Sequence, residues 1–60
     1  MYYFEAHYIN MDNDAEITKK IKFDGQFFDN EKECYIYAMT KAYDMTEKNE
    51  ILASVEFLAC

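Results

Sequence analysis

"KECYIYAMTKAYDM", residues 32–45, places three tyrosines, two methionines, an isoleucine and a cysteine within fourteen positions. Wound at about 100° per residue, Cys34, Met45, Ala38, Ala42, Tyr35, Met39, Tyr43 and Ile36 fall within one arc of about 200°, broken only by Glu31 and Lys32 in the first turn. Thr40, Glu33, Asp44, Asn30 and Lys41 occupy most of the remainder, with Tyr37 among them. Packing a helix on a sheet requires an apolar stripe of only about 100° or somewhat more. The centre of the arc, Ala38, Ala42, Tyr35 and Met39, suffices for that, and the small alanines permit a close approach. The flanks of the arc are surplus.

The spacing predicts a helix over about 30–45. Asp29 or Asn30 serves as its N-cap, Glu31 and Glu33 offset the helix dipole, and Asn30 with Glu33 approximates a capping box. Upstream, residues 2–9, "YYFEAHYI", alternate Tyr2, Phe4, Ala6 and Tyr8 against Tyr3, Glu5, His7 and Ile9, which predicts a strand. "NMDND", residues 10–14, reads as a turn because Asn and Asp hydrogen-bond their own backbone. A second strand is expected over about 15–23, with Ile17, Ile21 and Phe23 on one side and Glu16, Thr18, Lys20 and Lys22 on the other. Gly25, the only glycine, stands in "FDGQFF", where Asp-Gly predicts a tight turn with a positive φ. Downstream, "ILASVEFLAC" reads as a third strand, with Ile51, Ala53, Val55, Phe57 and Ala59 on one face and Leu52, Ser54, Glu56, Leu58 and Cys60 on the other.

The expected fold is therefore a single α+β domain over residues 1–60, ββαβ in order, with a three-stranded sheet in the order 2-1-3 and the helix on one face. The hairpin, the turn at Gly25 and the tyrosine-bearing helix resemble a reduced version of the minimal β-grasp domains, which include small immunoglobulin-binding domains of bacterial surface proteins. One strand follows the helix here, so the resemblance implies a fold and no activity. The two edges differ. Strand 2 carries Lys20 and Lys22 and turns Lys19 inward, a device against edge pairing, whereas strand 3 has Glu56 as its one interior charge.

Composition excludes several classes. Sixty residues with 52% apolar and 30% charged side chains describe one small globular unit of marginal stability. Two cysteines are too few for a disulfide scaffold and suggest reduced thiols in a cytosol. The first ten residues have neither the basic flank nor the apolar run of a signal peptide, and no run approaches the roughly 20 residues of a membrane span, so a cytoplasmic chain away from membranes is expected. Twelve acids against six lysines, with no arginine, give a net charge of −6 and disfavour direct nucleic-acid binding. Small size and a lysine-only basic set suggest a bacterial or phage origin.

No reactive centre stands out. His7, Ser54 and Glu56 have the composition of a nucleophilic triad, but neighbouring strands bring such residues together without purpose, and no oxyanion site is evident. Zinc sites announce themselves by pairs such as C-x2-C, which are absent, and "DNDAE" lacks the glycine and the final glutamate of a calcium loop. No catalytic, cofactor or metal residue is expected. Cys34, on the apolar arc, reads as a buried thiol. "KKIK" with Tyr3 and His7 faintly resembles a base-stacking sheet, yet charge pairing of Lys20 and Lys22 with Glu5 accounts for it.

What remains is apolar surplus. The sequence points to a non-enzymatic protein–protein interaction module that self-associates as a homodimer through strand 3 or the surplus helix flank, with Ile36, Tyr37, Tyr43, Met45, Leu52 and Leu58 as contact residues. The alternative is an acidic inhibitor that mimics nucleic acid, using Asp24, Asp29, Glu31 and Glu33 to occupy the basic cleft of a nucleic-acid-handling protein.

Overall fold

The computed structural model describes residues 1–59, and what the sequence suggests for Cys60 lies outside the described residues. The chain runs β1 (Tyr2–Asn10), β2 (Glu16–Phe23), a 3-10 turn (Gly25–Phe27), α1 (Glu31–Asp44) and β3 (Glu50–Ala59). The strands form one antiparallel sheet in the order β2-β1-β3, with the helix packed on one face, which is the α+β, ββαβ architecture expected from the sequence. No helix among the described residues is long and apolar enough to cross a membrane.

β1 organises the molecule because it is central and keeps one phase throughout. Phe4, Ala6 and Tyr8 are buried beneath the helix, whereas Tyr3, Glu5, His7 and Ile9 lie on the opposite, open face. The hairpin turn closes as its residue types dictate: Asn10 Oδ1 accepts from the Asp12 amide at 2.8 Å and Asn13 Oδ1 from the Ala15 amide at 2.9 Å. Asn30 caps α1, accepting from the Glu33 amide at 3.0 Å, while Glu33 Oε2 reaches back to the Asp29 amide at 2.9 Å.

Three local expectations are corrected. The buried stripe of α1 is Cys34, Ala38 and Ala42, and Tyr35 and Met39 are displaced to its side. Three small side chains four residues apart bring the helix down onto the sheet, leaving no room beneath it for a ring or a long thioether. Gly25 does not adopt a positive φ; a Cβ there would stand 2.2 Å from the Tyr2 ring, so the glycine is required by the approach of that ring. Among the described residues the positive φ values belong to Asp14 and Asn49.

The third correction concerns β3, which does not keep a single alternation. Its register against β1 shifts between His7↔Ser54 and Tyr8↔Leu52, and again between Tyr3↔Ala59 and Phe4↔Phe57. Each shift inserts one extra residue into β3, a β-bulge that resets which face the following side chains take. Leu52, Val55 and Phe57 consequently face the helix, and Ile51 pairs with Ile9 on the open face, where the sequence had expected it to share a side with Val55.

One end of the core is aromatic, with Phe4 ringed by Tyr2, Phe23, Tyr35 and Phe57 at centroid distances of 5.2–6.4 Å. The other end is polar. Lys19 turns inward, as its place in the alternation predicts, and its Nζ donates to the Met45 carbonyl at 2.7 Å and to Glu50 Oε1 at 2.8 Å, 4.5 Å from the Tyr8 ring centroid. The ammonium thus sits at the carbonyl-bearing end of α1, where a cation is favoured. The Tyr8 hydroxyl donates to the Ala42 carbonyl at 2.5 Å.

This cluster makes stability depend on pH at both extremes. The Lys19 hydrogen bond holds the Glu50 carboxyl below its ordinary 4.5, and the Glu50 bond raises Lys19 above 10.5. Burial raises Tyr8 above 10.0. The Glu50 contribution is present above the ordinary carboxyl range and is lost as pH falls through the lowered value. The Lys19 and Tyr8 contributions are present below about pH 10 and are lost as pH rises through their raised values, because the unfolded chain releases those protons first. Thermal melts followed by circular dichroism should hold a plateau near neutrality and fall on both sides. Lys19→Met should shrink both limbs, and an unchanged pH profile in that variant would refute the assignment.

Candidate functional site

α1 runs alongside β1, since Tyr35 at its start meets Phe4 and Ala42 near its end meets Tyr8. Its two flanks therefore overhang different strands. On the β2 side, Tyr37 packs at 4.7 Å from Phe23 and 5.2 Å from Phe28. On the β3 side, Tyr35 meets Phe57 at 5.8 Å, and Met39 and Tyr43 follow Tyr35 at four-residue spacing, with Ile36 beside them. These four are 44%, 41%, 63% and 55% exposed for Tyr35, Met39, Tyr43 and Ile36. They form a continuous apolar strip that carries no charge until Lys32, one turn nearer the helix start.

The six contact residues expected from the sequence are dispersed by the fold. Ile36 and Tyr43 lie on this strip. Tyr37 belongs to the opposite flank, Met45 and Leu52 pack against the core, and Leu58 lies on the open face of the sheet beside Tyr3, Lys20 and Lys22. Tyr35, Met39 and Phe57 complete the strip without having been expected there. The signal available in the sequence was the spacing of the small residues: once Cys34, Ala38 and Ala42 are taken as the contact line, Tyr35 and Met39 move to the flank.

Total exposure does not single the strip out. The accessible surface is 4314 Å², against about 4,100 Å² for a lone chain of 7.2 kDa. What singles it out is concentration: one side of one helix carries four large apolar side chains, while the opposite flank, beyond Tyr37, carries Lys41 and Asp44. The body is also drawn out, 39 × 17 × 13 Å between Cα positions, with a radius of gyration of 12.1 Å against about 10.4 Å for a compact chain of this length.

The open face has a different chemistry, centred on His7. Its Nε2 lies 3.2 Å from Glu5 Oε1 and 3.5 Å from Glu56 Oε2, and its Nδ1 faces Thr18 Oγ1 at 3.4 Å. Lys20 Nζ stands 3.3 Å from the other Glu5 oxygen, so of the pairing expected for Lys20 and Lys22 with Glu5 the Lys20 half is formed, whereas Lys22 lies opposite Tyr3. Ser54 is directly opposite His7 across the β1–β3 pair. A nucleophilic triad needs its serine on one imidazole nitrogen and its acid on the other. Here both acids approach Nε2 and a threonine takes Nδ1.

Of the acids near the start of α1, Asp24 and Glu33 are engaged locally. Asp24 accepts from the Gln26 amide at 3.0 Å and from its side chain at 2.7 Å, and Glu33 closes the capping box. Cys34 is buried, as its place on the arc predicted. No protein-family model, characterised protein or solved structure matches the chain.

Proposed function

We propose that this protein is a small non-enzymatic interaction module that associates with a second copy of itself through the β3-side flank of α1. The observation that carries this reading is the uncharged strip of Tyr35, Ile36, Met39 and Tyr43. A contiguous apolar patch of this kind marks an association surface more often than scattered exposed side chains do.

A second copy suits the strip because the strip is self-complementary. Most small homo-oligomers are twofold, so residue i of one copy meets residue j of the other and the reverse. With the axis passing between Met39 and Thr40, the two helices run antiparallel, Ile36 faces Tyr43 of the partner copy, and the methionines meet near the axis. The same operation brings Lys32 to the carbonyl end of the partner helix, close to Glu47, which supplies opposite charge at both rims. The bulges interrupt the free edge of β3, so side-chain packing, and not strand pairing, carries the association.

Sedimentation equilibrium over 1–100 µM tests this, at roughly physiological and at high salt. The expected result is a monomer–dimer equilibrium that tightens with salt, because screening reduces repulsion between two copies of charge −6 while apolar burial persists. A monomer at every concentration and salt refutes it. Mimicry of nucleic acid predicts the opposite salt response, with a basic partner lost as salt rises.

A further inference from the structure

We propose that Glu5, His7 and Glu56, on the sheet face away from the helix, form a binding site for one divalent cation of the zinc class. The site arises from strand geometry. Glu5 and His7 are two residues apart on β1 and so share a face, and Glu56 on β3 is the direct cross-strand partner of Glu5. One ligand atom from each of the three lies within 4.8 Å of the other two.

The separations suit a metal better than they suit direct pairing. Zinc bonds of about 2.0–2.1 Å to nitrogen and oxygen place tetrahedral ligands about 3.3–3.4 Å apart. His7 Nε2 is 3.2 and 3.5 Å from the two carboxylate oxygens, which brackets that edge length. Charge-assisted N–H···O bonds are shorter, about 2.7–2.9 Å. The remaining imidazole nitrogen faces the Thr18 hydroxyl, the arrangement by which a neighbouring group orients a ligating histidine and leaves its other nitrogen free. Lys20 takes the second oxygen of Glu5 and leaves Oε1 turned to His7.

Electrostatics points the same way. Like charges directly opposite on paired strands are destabilising, and Glu5 faces Glu56 in that relation. A dication between them turns the repulsion into attraction. One imidazole and two carboxylates select zinc over calcium or magnesium, which prefer all-oxygen sets of six or more ligands. Three protein donors leave a fourth position for water, and the open cleft that His7 and Glu56 line together with Ser54 admits solvent beside them. Sequence motifs miss it because its ligands are spaced by strand pairing and not by a short helical or knuckle repeat.

The test is isothermal titration of the full chain, carrying Cys60→Ser to remove the terminal thiol as a competing ligand, with zinc chloride and, separately, with calcium and magnesium chlorides. One zinc per chain with micromolar affinity, accompanied by a shift of the His7 ring signals in NMR, is expected, with no binding of calcium or magnesium. His7→Ala and Glu56→Gln should each weaken zinc at least tenfold, while Lys20→Ala should tighten it a few-fold by releasing Glu5. Glu56 is well exposed, so its substitution leaves the fold intact and keeps the test decisive. Zinc affinity weaker than millimolar, or equal affinity in Glu56→Gln, overturns the proposal. Sedimentation reports on the helix flank and remains a separate readout, because the metal site lies on the opposite face.

Discussion

Phe4→Ala is expected to remove most of the stability of this chain. Phe4 is 1% exposed at the aromatic end of the core, with Tyr2, Phe23, Tyr35 and Phe57 packed around it. Truncating a buried phenylalanine costs about 3–5 kcal/mol, from lost transfer energy and from the cavity left behind. A 60-residue domain has about 3–9 kcal/mol in total. The cavity would not collapse easily, because the four rings around Phe4 come from three strands and the helix. Urea denaturation at 25 °C should therefore find the variant largely unfolded, or with a midpoint near zero denaturant. Phe4→Leu, which keeps most of the volume, should cost less than half as much. Tyr3→Ala, next in sequence but on the open face, should change stability by about 0.5 kcal/mol or less. A loss below about 1 kcal/mol for Phe4→Ala would mean that the aromatic end is not the core.

The contrast between Phe4 and Tyr3 was legible in the sequence because β1 keeps one alternation over its whole length. β3 was not legible in the same way. "ILASVEFLAC" is apolar on both faces when read as a single alternation, and the strand resolves that conflict with two bulges that turn Leu52, Val55 and Phe57 inward together. No residue type in it signals a bulge, since the glycine that often does so is absent from the segment. Lys19 was placed correctly on the inward face, but its partners, the Met45 carbonyl and Glu50, come from the far end of the chain and are set by tertiary packing. The helix was correct in extent and capping and misread by one position in its contact line. That single step decides which side of the molecule carries the apolar surplus. The nearness of His7 to Glu56 follows from the 2-1-3 strand order, whereas setting Glu56 directly against Glu5 depends on the β1–β3 register.

Placing aspartate at both Ile36 and Tyr43 is expected to abolish self-association while leaving the monomer folded. Each of these side chains is more than half exposed in the lone chain, so the substitutions cost the monomer only the lower helix propensity of aspartate, a few tenths of a kcal/mol each. In the proposed dimer each residue is buried against the other, and anchors of this kind carry about 2 kcal/mol or more apiece. The twofold axis makes two such Ile36–Tyr43 contacts, so losing both corresponds to a dimerisation weaker by roughly a thousandfold or more. The concentration dependence of the melting temperature should disappear with it. Phe27→Asp serves as the control, since Phe27 is the most exposed large apolar residue, 81%, and lies outside the strip. A charge swap then tests the geometry. In an antiparallel pair, Ile36→Glu combined with Tyr43→Lys sets opposite charges face to face twice, whereas Ile36→Glu combined with Tyr43→Glu sets like charges together. The mixed-sign variant should therefore dimerise more tightly than the same-sign variant, because like-charge juxtaposition across an interface costs several kcal/mol. Equal affinities in the two would show that position 36 does not face position 43, and that the copies, if they meet, meet by another symmetry.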